Sequence, residues 1–237
     1  MTAWTIHHRA ETRSTNLDAR EGRPGDVFTA DFQTAGRGRL DHRWHSARGE
    51  NLAMSVVLPV AGLGPGLVAT LPLAIGLAVV RAVRSLAAGS SPALKWPNDV
   101  FVGGRKLAGI LCERTGDRVI AGIGVNVRES EFPDAIAARA TSLAKLGCRA
   151  GVETVRDATL GSLSEVFGRW RTDGFGALLS EIRSVDLLRG RWVSVRRTDD
   201  DSTPLTGLCD GISADGSLVV AGRSAYAGEA HVLEGTP

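Results

Sequence analysis

The sequence lacks the patterns by which several common classes of enzyme and binding protein are recognised. It contains three cysteines and five histidines in 237 residues, and neither residue type has the spacing of a metal site. It has no Walker-type phosphate loop, no GxGxxG fingerprint and no nucleophile elbow. The odd number of cysteines indicates reduced thiols. We therefore do not expect a zinc protein, a disulfide-stabilised secreted domain, a Rossmann-type enzyme or a serine hydrolase.

The chain also lacks a strong excess of charge. It has 28 Lys and Arg against 26 Asp and Glu, a formal net charge of +2, which gives no electrostatic argument for binding nucleic acid or an anionic membrane. No charged residue occurs between Asn51 and Val80, but prolines and glycines interrupt this apolar stretch, so we expect no membrane-spanning helix. The N-terminus has neither a basic leader nor an apolar signal core, which predicts a cytoplasmic protein.

What remains is the composition of an ordinary globular protein, 43% hydrophobic and 23% charged. Strand-like runs cover residues 4–10, 27–32, 51–58, 93–102, 105–113 and 118–127. Helical patterns cover residues 66–88, where Pro72 lies in the first turns or kinks the helix, and residues 152–185, divided near Gly174 and Gly176. From residue 188 onward, short strands at 191–196, 204–209, 217–220 and 229–233 predict a small β module. We expect an α+β (α/β-like) domain of residues 1–187 and a β domain of residues 188–237.

The most informative stretch is a loop rich in glycine and arginine between two of these strands. It reads Gln33-Thr-Ala-Gly-Arg-Gly-Arg-Leu-Asp-His-Arg-Trp44. Gly36 lets the backbone approach a ligand closely, and Arg37 and Arg39 can present forked guanidinium groups to carboxylate or phosphate oxygens. Trp44 offers a flat ring that could cover another planar group. Taken alone, the stretch could equally be a solvated basic loop.

Four further polar stretches lie at strand ends or turns, where α/β sheets assemble ligand sites. Residues 14–16, Ser-Thr-Asn, precede a short helical pattern and could either cap it or grip a small polar ligand. Residues 95–99, Lys-Trp-Pro-Asn-Asp, interrupt a strand, because proline cannot donate to a strand ladder. Lys106 begins the next strand, and residues 122–126, Gly-Ile-Gly-Val-Asn, end the one after it.

These stretches together indicate a definite chemistry. Arg37, Arg39 and Lys106 supply the positive charge that a carboxylate needs in order to approach a polyphosphate, since two anions repel each other. Asp99, next to Asn98, could hold Mg²⁺, which binds through few carboxylates together with substrate phosphates. The residues therefore predict an enzyme that joins an acid to a nucleotide.

In this order and spacing, the motifs resemble those of the biotin protein ligase family. The motifs are Ser-Thr-Asn, Gln-Thr-Ala-Gly-Arg-Gly-Arg with the following Trp, Lys-Trp-Pro-Asn-Asp, Lys-Leu-Ala-Gly-Ile-Leu with the following Glu, and Gly-Ile-Gly-Val-Asn. They cover about residues 10 to 127. The resemblance implies a mixed-sheet catalytic domain of the class II aminoacyl-tRNA synthetase and biotin ligase type, followed by a small C-terminal SH3-like β-barrel.

The resemblance also implies a reaction in two steps. The biotin carboxylate attacks the α-phosphate of ATP, with Mg²⁺ as cofactor, and forms biotinyl-5′-AMP and pyrophosphate. A lysine of a biotin carboxyl carrier domain then attacks the mixed anhydride and releases AMP. The residues implied to be catalytic are Arg37, Arg39, Lys106 and Asp99, with Asp99 also implied as the magnesium ligand and as the group that orients the carrier lysine. The residues implied to bind biotin are Ser14, Thr15, Asn16, Gln33, Gly36, Arg37, Lys106, Gly109 and Gly122. Those implied to bind ATP are Arg39, Trp44, Lys95, Asn98 and Asn126.

The sequence departs from the family pattern at one place, and two other functions stay open. Asp41 and His42 stand where the family usually has glycine and a basic residue, which predicts a stiffer loop. We expect either a faster loss of the adenylate or a distinct ordering of the loop, with activity retained. The alternatives are a lipoate- or octanoate-type ligase and a non-catalytic biotin-binding homologue.

Because the motifs begin close to Met1, we expect a monofunctional enzyme without a DNA-binding domain or a DNA partner. A homodimer through a sheet edge is compatible with the resemblance.

Overall fold

The computed structural model describes residues 3–40, 42–197 and 203–233. In this part of the chain, a seven-stranded mixed sheet is followed by a five-stranded antiparallel sheet. The strands of the first sheet are β1 (Thr5–Arg9), β2 (Asp26–Ala30), β3 (Asn51–Pro59), β4 (Ala93–Lys95), β5 (Asp99–Val102), β6 (Arg105–Thr115) and β7 (Arg118–Asn126). They lie in the order β1-β2-β3-β7-β6-β5-β4, with β1 and β2 parallel and the other neighbours antiparallel. The predicted α+β class is confirmed.

The helices follow the predicted periodicity, with one difference. They are α1 (Thr15–Asp18), α2 (Pro65–Ala69), α3 (Leu71–Leu86), α4 (Asp134–Ala137), α5 (Val152–Asp173) and α6 (Gly176–Ser184). The prediction of one continuous helix over residues 66–88 is wrong, because α2 ends before Thr70 and α3 begins after it. Pro72 lies in the first turn of α3, where a proline is tolerated because the N–H that it lacks would have no partner within that helix. The predicted division near Gly174 is confirmed, since α5 ends at this residue, which has φ +77°.

The hydrophobic core lies on one face of the first sheet. Large apolar side chains alternate along β3 and β7 on this face, because successive residues of a strand point to opposite sides; they include Leu52, Met54, Val56, Val119, Ile123 and Val125. Helices α3 and α5 pack within the same core, where Leu77 is fully buried. By length and composition, residues 65–86 could cross a membrane, but 72% of that apolar window is buried inside the fold. The apolar stretch is therefore accounted for by core packing.

We expect Leu77→Ala to lower the free energy of unfolding by about 2–5 kcal/mol, because it removes buried methyl groups and leaves a cavity under α3. Urea denaturation would measure this change. Leu208→Ala is the matched control, since the Leu208 residue is 45% exposed, and we expect it to cost less than about 1 kcal/mol. Equal losses from the two variants would contradict the central place of α3 in the core.

The second sheet forms the C-terminal β module. Its strands are β8 (Trp192–Arg197), β9 (Leu205–Ile212), β10 (Leu218–Val220), β11 (Arg223–Ala225) and β12 (Gly228–Val232), in the order β11-β10-β9-β8-β12. The predicted strands correspond to β8, β9, β10 and β12, whereas β11, with the sequence Arg-Ser-Ala, has no apolar alternation and was not predicted. Apolar residues of both sheets belong to one continuous core, and Trp96 Nε1 donates a hydrogen bond to the Gly216 carbonyl at 3.1 Å. These contacts hold the module against the first sheet.

The opposite face of the first sheet carries mostly small residues at its centre. The residues paired across neighbouring strands are Ala30, Ala53, Gly124, Gly109, Asp99 and Lys95 in one row, and Phe28, Ser55, Gly122 and Leu111 in the next. Directly paired residues of antiparallel strands project to the same side of a sheet. The alanines and glycines therefore leave a depression between larger side chains at either end, and this depression positions the candidate site.

Candidate active site

A pocket opens over this depression, between the first sheet and β12. Its empty volume is about 950 Å³, which includes space open to solvent. The predicted site residues that line it are Ser14, Thr15, Asn16, Gln33, Arg37, Arg39, Trp44, Lys95, Asn98, Asp99, Lys106, Gly109 and Gly122. Gly36 and Asn126 do not line it. Residues separated by more than a hundred positions along the chain, such as Ser14 and Gly122, thus meet in one cavity, which is the usual form of a small-molecule site.

One end of the pocket is a buried cluster of hydroxyl and amide groups. Ser14 is the N-cap of α1, but its side chain makes no capping hydrogen bond, so the capping interpretation of residues 14–16 is not supported. The Thr15 N–H donates to Gln33 Oε1 at 2.8 Å. Ser55 Oγ lies 2.6 Å from Asn16 Oδ1 and 2.7 Å from Thr15 Oγ1. Ser55 was not predicted, although strand alternation places it beside Gly122 on the same face.

Glycines form the floor of the pocket because a side chain would occupy its space. A Cβ atom at Gly122 would overlap Asn16 Oδ1, and one at Gly124 would lie 2.5 Å from Cε2 of Trp44. A Cβ at Gly109 would lie 3.2 Å from Cζ3 of the same ring. The indole of Trp44 thus rests on two glycines, and its Nε1 is buried without a hydrogen-bond partner among the described residues. The position of this ring in the pocket fits its predicted role beside a planar ligand.

Arg37 and Asn16 are joined through a carboxylate that was not among the predicted site residues. Arg37 Nη2 donates to both carboxylate oxygens of Glu113, at 2.8 and 2.9 Å. Asn16 Nδ2 donates to Glu113 Oε2 at 2.6 Å. Glu113 ends the Lys-Leu-Ala-Gly-Ile-Leu motif, two residues beyond Leu111 on the same face of β6. That alternation is the signal that could have identified it.

The other end of the pocket is charged. Lys106 Nζ lies 2.7 Å from Asp99 Oδ1, in an ion pair that lacks the geometry of a hydrogen bond, and 5.9 Å from the centre of the Trp44 ring. Burial lowers the pKa of Lys95, and the neighbouring Asp99 opposes this shift. Two lysines therefore flank one carboxylate, and an anionic ligand that entered here would meet a net positive charge.

Arg39 connects the loop to the C-terminal module. Its Nη1 donates to Asn98 Oδ1 and to the Gly228 carbonyl, each at 3.2 Å. Burial lowers the pKa of Arg39, and the carboxylates of Asp99 and Glu229 oppose this shift. Glu229 and His231 of β12 also line the pocket and were not predicted as site residues. Nothing in the local sequence indicates that the last strand returns to a loop about 190 residues earlier.

The departure from the family pattern falls partly within the described chain. Asp41 lies outside the described residues, so the predicted stiffening of the loop stays a prediction. His42 Nδ1 lies 3.6 Å from Glu229 Oε1, and the Gly38 N–H donates to the His42 carbonyl at 2.6 Å. His42 therefore contacts the C-terminal module, and this part of the loop is held at both its backbone and its side chain.

Gly36 and Asn126 occupy supporting positions beside the pocket. The Gly36 carbonyl accepts a hydrogen bond from the Trp44 N–H at 3.1 Å, which closes the loop. Asn126 follows Gly124 by two residues on the same face of β7, and its Nδ2 donates to the Thr141 carbonyl at 2.9 Å. In this arrangement the Asn126 amide holds the segment after β7 and does not face the cavity.

A divalent cation would have few protein ligands here. In the described ranges, no group of three or more His, Cys, Asp and Glu residues could hold a metal ion. Asp99 is the predicted ligand and lines the pocket. One carboxylate is compatible with Mg²⁺, which characteristically keeps several waters and binds substrate phosphates as well. The donor set therefore fits a metal that arrives with a nucleotide better than a resident metal centre.

The fold and the site have the form of an acid-activating ligase. The solved structure of a biotin protein ligase from Aquifex aeolicus in complex with biotin and ATP superposes with a TM-score of 0.85, at 29% identity, covering 96% of this chain and 98% of that one. Residues 7–129 match the biotin/lipoate A/B protein ligase family, and the chain belongs to this family.

Curated relatives agree with this assignment. The biotin--[acetyl-CoA-carboxylase] ligase of Paracoccus denitrificans is 33% identical over 229 residues, which is 90% of this chain and 92% of that protein. The bifunctional ligase/repressor BirA of Bacillus spizizenii is 41% identical over 129 residues, which is 51% of this chain. The chain spans 39% to 63% of the length of the bifunctional relatives that it matches.

Proposed function

We propose that this chain is a biotin protein ligase, which activates biotin with ATP to biotinyl-5′-AMP and transfers the biotinyl group to a lysine of a carrier domain. One observation carries the proposal: a buried hydroxyl and amide cluster and a lysine-rich end face each other across a single glycine-lined floor. Such a pocket can hold a neutral polar ring at one end while an acid reacts at the other. The relatives named above support the same activity.

At the polar end, the proposed ligand is the ureido ring of biotin. Residues 14–16 and Gln33 supply hydroxyl, amide and backbone groups that can both donate and accept hydrogen bonds. Residues 14–16 are buried, so each hydrogen bond from them to the ring discriminates against acids that lack matching groups. Gly122 leaves room for the Asn16 side chain beside the ring. Trp44 and Lys106 lie over Gly109, so the tail that leads to the carboxylate is proposed to pass here once these side chains move.

At the charged end, the proposed reaction joins two anions. Lys106 lies where it can contact the biotin carboxylate and the developing charge on the α-phosphate, which requires it to exchange its ion pair with Asp99 for the ligand. Arg37 and Arg39 hold the loop over the biotin tail and the phosphates. No enzyme-bound covalent intermediate is part of this proposal, because the carboxylate itself displaces pyrophosphate.

The nucleotide is proposed to lie between the loop and residues 95–99. Trp44 covers the adenine, while Lys95 and Asn98 line the phosphate side, and Asn126 contributes if its amide turns from Thr141 toward the base. Asp99 is proposed to hold Mg²⁺, which when bound neutralises phosphate charge. After adenylation, Asp99 can accept a hydrogen bond from the incoming carrier lysine and so orient it for attack.

The polar cluster favours biotin over the first alternative, a lipoate or octanoate ligase. The dithiolane ring of lipoate and the end of octanoate have no strong hydrogen-bonding groups, so they would leave unused the hydrogen-bonding capacity that Ser14, Thr15 and Asn16 keep beyond their contacts with Gln33, Ser55 and Glu113. Each hydrogen bond that is not formed in this way costs about 0.5–1.5 kcal/mol. The second alternative, a non-catalytic biotin-binding protein, fits less well because Lys106, Arg39 and Asp99 all line the pocket.

The proposal extends to partners and location. The carrier domain of a biotin-dependent carboxylase is the proposed acceptor, and its lysine would enter from the open side of the pocket. We propose residues 1–187 and 188–237 as the two domains, and a cytoplasmic location, where ATP and reduced thiols coexist. The homodimer through a sheet edge stays a prediction.

The experiment that tests this function is the ATP- and Mg²⁺-dependent transfer of labelled biotin to a carrier domain, together with biotin-dependent exchange of pyrophosphate into ATP. We expect both activities with biotin and neither with lipoate or octanoate. Exchange with lipoate or octanoate alone would establish the first alternative. Tight binding of biotin without exchange would establish the non-catalytic one.

A further inference from the structure

Glu113 is the one carboxylate that contacts both the polar end of the pocket and the arginine loop in the described chain. It accepts a hydrogen bond from Asn16 and a two-fold interaction from Arg37, and Arg20 Nη2 lies 3.9 Å from its Oε1. It lies on β6, whereas Asn16 belongs to α1 and Arg37 to the loop. Three separate segments therefore meet at one side chain, which is 26% exposed.

The contacts of Glu113 determine which way the Asn16 amide faces. A carboxylate can only accept hydrogen bonds, so the nitrogen of the amide must point to Glu113. The Asn16 oxygen then points to the Ser55 hydroxyl, at 2.6 Å. Ser55 is fully buried, and a side chain at position 122 would collide with this same oxygen. The amide is thus fixed in one orientation by groups on β3, β6 and β7.

The same carboxylate holds the loop. The Arg37 side chain is 43% exposed, and an exposed arginine would otherwise sample many rotamers. The Arg37 Nη2 group donates to both oxygens of one carboxylate, and these charge-assisted hydrogen bonds restrain the guanidinium. The position of Arg37 over the pocket therefore depends on the group that also orients Asn16.

We infer that Glu113 is a positioning residue that couples recognition of the ligand's polar ring to closure of the arginine loop, an inference that rests on the proposed function. The residue touches neither biotin nor ATP in this scheme and acts through Asn16 and Arg37. A ligand that satisfies the Asn16 amide stabilises the Glu113 side chain in the position that holds Arg37. Acids without a hydrogen-bonding ring lose this coupling, and the loop closes over them less well.

Glu113→Gln tests the inference because glutamine offers one acceptor oxygen where Asn16 and Arg37 require two. We expect the Kd of biotin, measured by calorimetry, and the release rate of biotinyl-AMP each to rise about ten-fold, the change that corresponds to losing one hydrogen bond to a charged group. Glu181→Gln is the matched control, since Glu181 also accepts two hydrogen bonds from one arginine, from Nε and Nη2 of Arg81 at 2.6 and 2.5 Å, between α6 and α3 and away from the pocket. Both variants are expected to lower Tm by similar amounts, while the control leaves the Kd and the release rate unchanged.

A double-mutant cycle distinguishes coupling from local damage. Arg37→Lys keeps the charge but removes the Nη2 group that contacts both Glu113 oxygens, and we expect it to raise the release rate several-fold in the wild-type background and by less than about two-fold in the Glu113→Gln background. Arg37→Lys in the wild-type background also tests the coupling if Glu113→Gln does not fold. Additive effects, or a Glu113→Gln variant with the Kd and release rate of the control, would overturn the inference.

Wild-type protein that binds biotin without exchange would overturn the catalytic proposal alone, with the Kd comparison still decisive for Glu113. Wild-type protein that does not bind biotin would overturn both.

Discussion

Lys106→Ala is expected to slow biotin-dependent exchange of pyrophosphate into ATP by about 100- to 1000-fold, the usual cost of removing one group that stabilises a developing charge. Lys106 lies beside Asp99, 2.7 Å away, and without it Asp99 would keep Lys95 as its neighbouring lysine while the biotin carboxylate would lose the group that is proposed to contact it. The measurement is the initial rate of label exchange at saturating ATP and biotin, so that the effect appears in kcat.

The control for this prediction is Lys145→Ala. Lys145 is an exposed lysine that contacts the ring of Phe132, at 5.9 Å, and it does not line the pocket. We expect its exchange rate to remain within about two-fold of the wild-type rate, as for surface substitutions away from a site. A Lys106→Ala variant that folds and exchanges at the rate of this control would refute the assignment of Lys106.

Gly122→Ala is expected to weaken the binding of biotin by about 100-fold, since overpacking and a misplaced hydrogen bond together cost about 3 kcal/mol. The added Cβ would occupy the position of Asn16 Oδ1. The Asn16 side chain cannot move away without breaking its hydrogen bond with Ser55 or with Glu113. The expected result is a large rise in Kd by calorimetry, with an exchange rate that recovers partly at high biotin concentration.

Gly161→Ala is the matched substitution. Gly161 lies in α5, and a Cβ there meets no atom within 4 Å. Alanine in a helix is favoured over glycine by about 1 kcal/mol, so this variant should be slightly more stable and bind biotin unchanged. If Gly122→Ala bound biotin as tightly as Gly161→Ala does, the polar end of the pocket would not be the ring site.

The parts of the site that could be predicted are those whose residue types are unusual where they stand. A loop with alternating glycine and arginine, or a proline and two polar residues inside a strand, is costly for folding alone and so points to a ligand. Arg39 and Asp99 were assigned in this way, and Lys106 was assigned as a charge at the start of a strand that admits charges only near its ends; all three line one pocket. Their assignment needed no knowledge of which strands are neighbours.

Ser55 and Glu113 could not be assigned in the same way, because a serine in a strand and a glutamate near a strand end are ordinary. Their importance comes from the order β3-β7-β6 and from its register, which places Ser55 opposite Gly122. The residues that β12 adds to the pocket could not be assigned either, because they depend on a contact between residues even farther apart in the sequence, Arg39 and Gly228. The break at Thr70 was missed for a local reason, since a proline in the first turns is also compatible with a continuous, kinked helix.

The alternation along β3, β6 and β7 also bears on how such a protein can diverge. In the proposed function every second position faces the ligand and the intervening positions face the core, so we expect substitutions on one side to change which acid is accepted while the other side keeps the fold stable. Mutations at Ala53 and Ser55 can thus be selected for chemistry, independently of Leu52 and Met54, which lie one residue away. Specificity and stability can therefore change separately in this sheet, although the residues that determine them alternate along the same three strands.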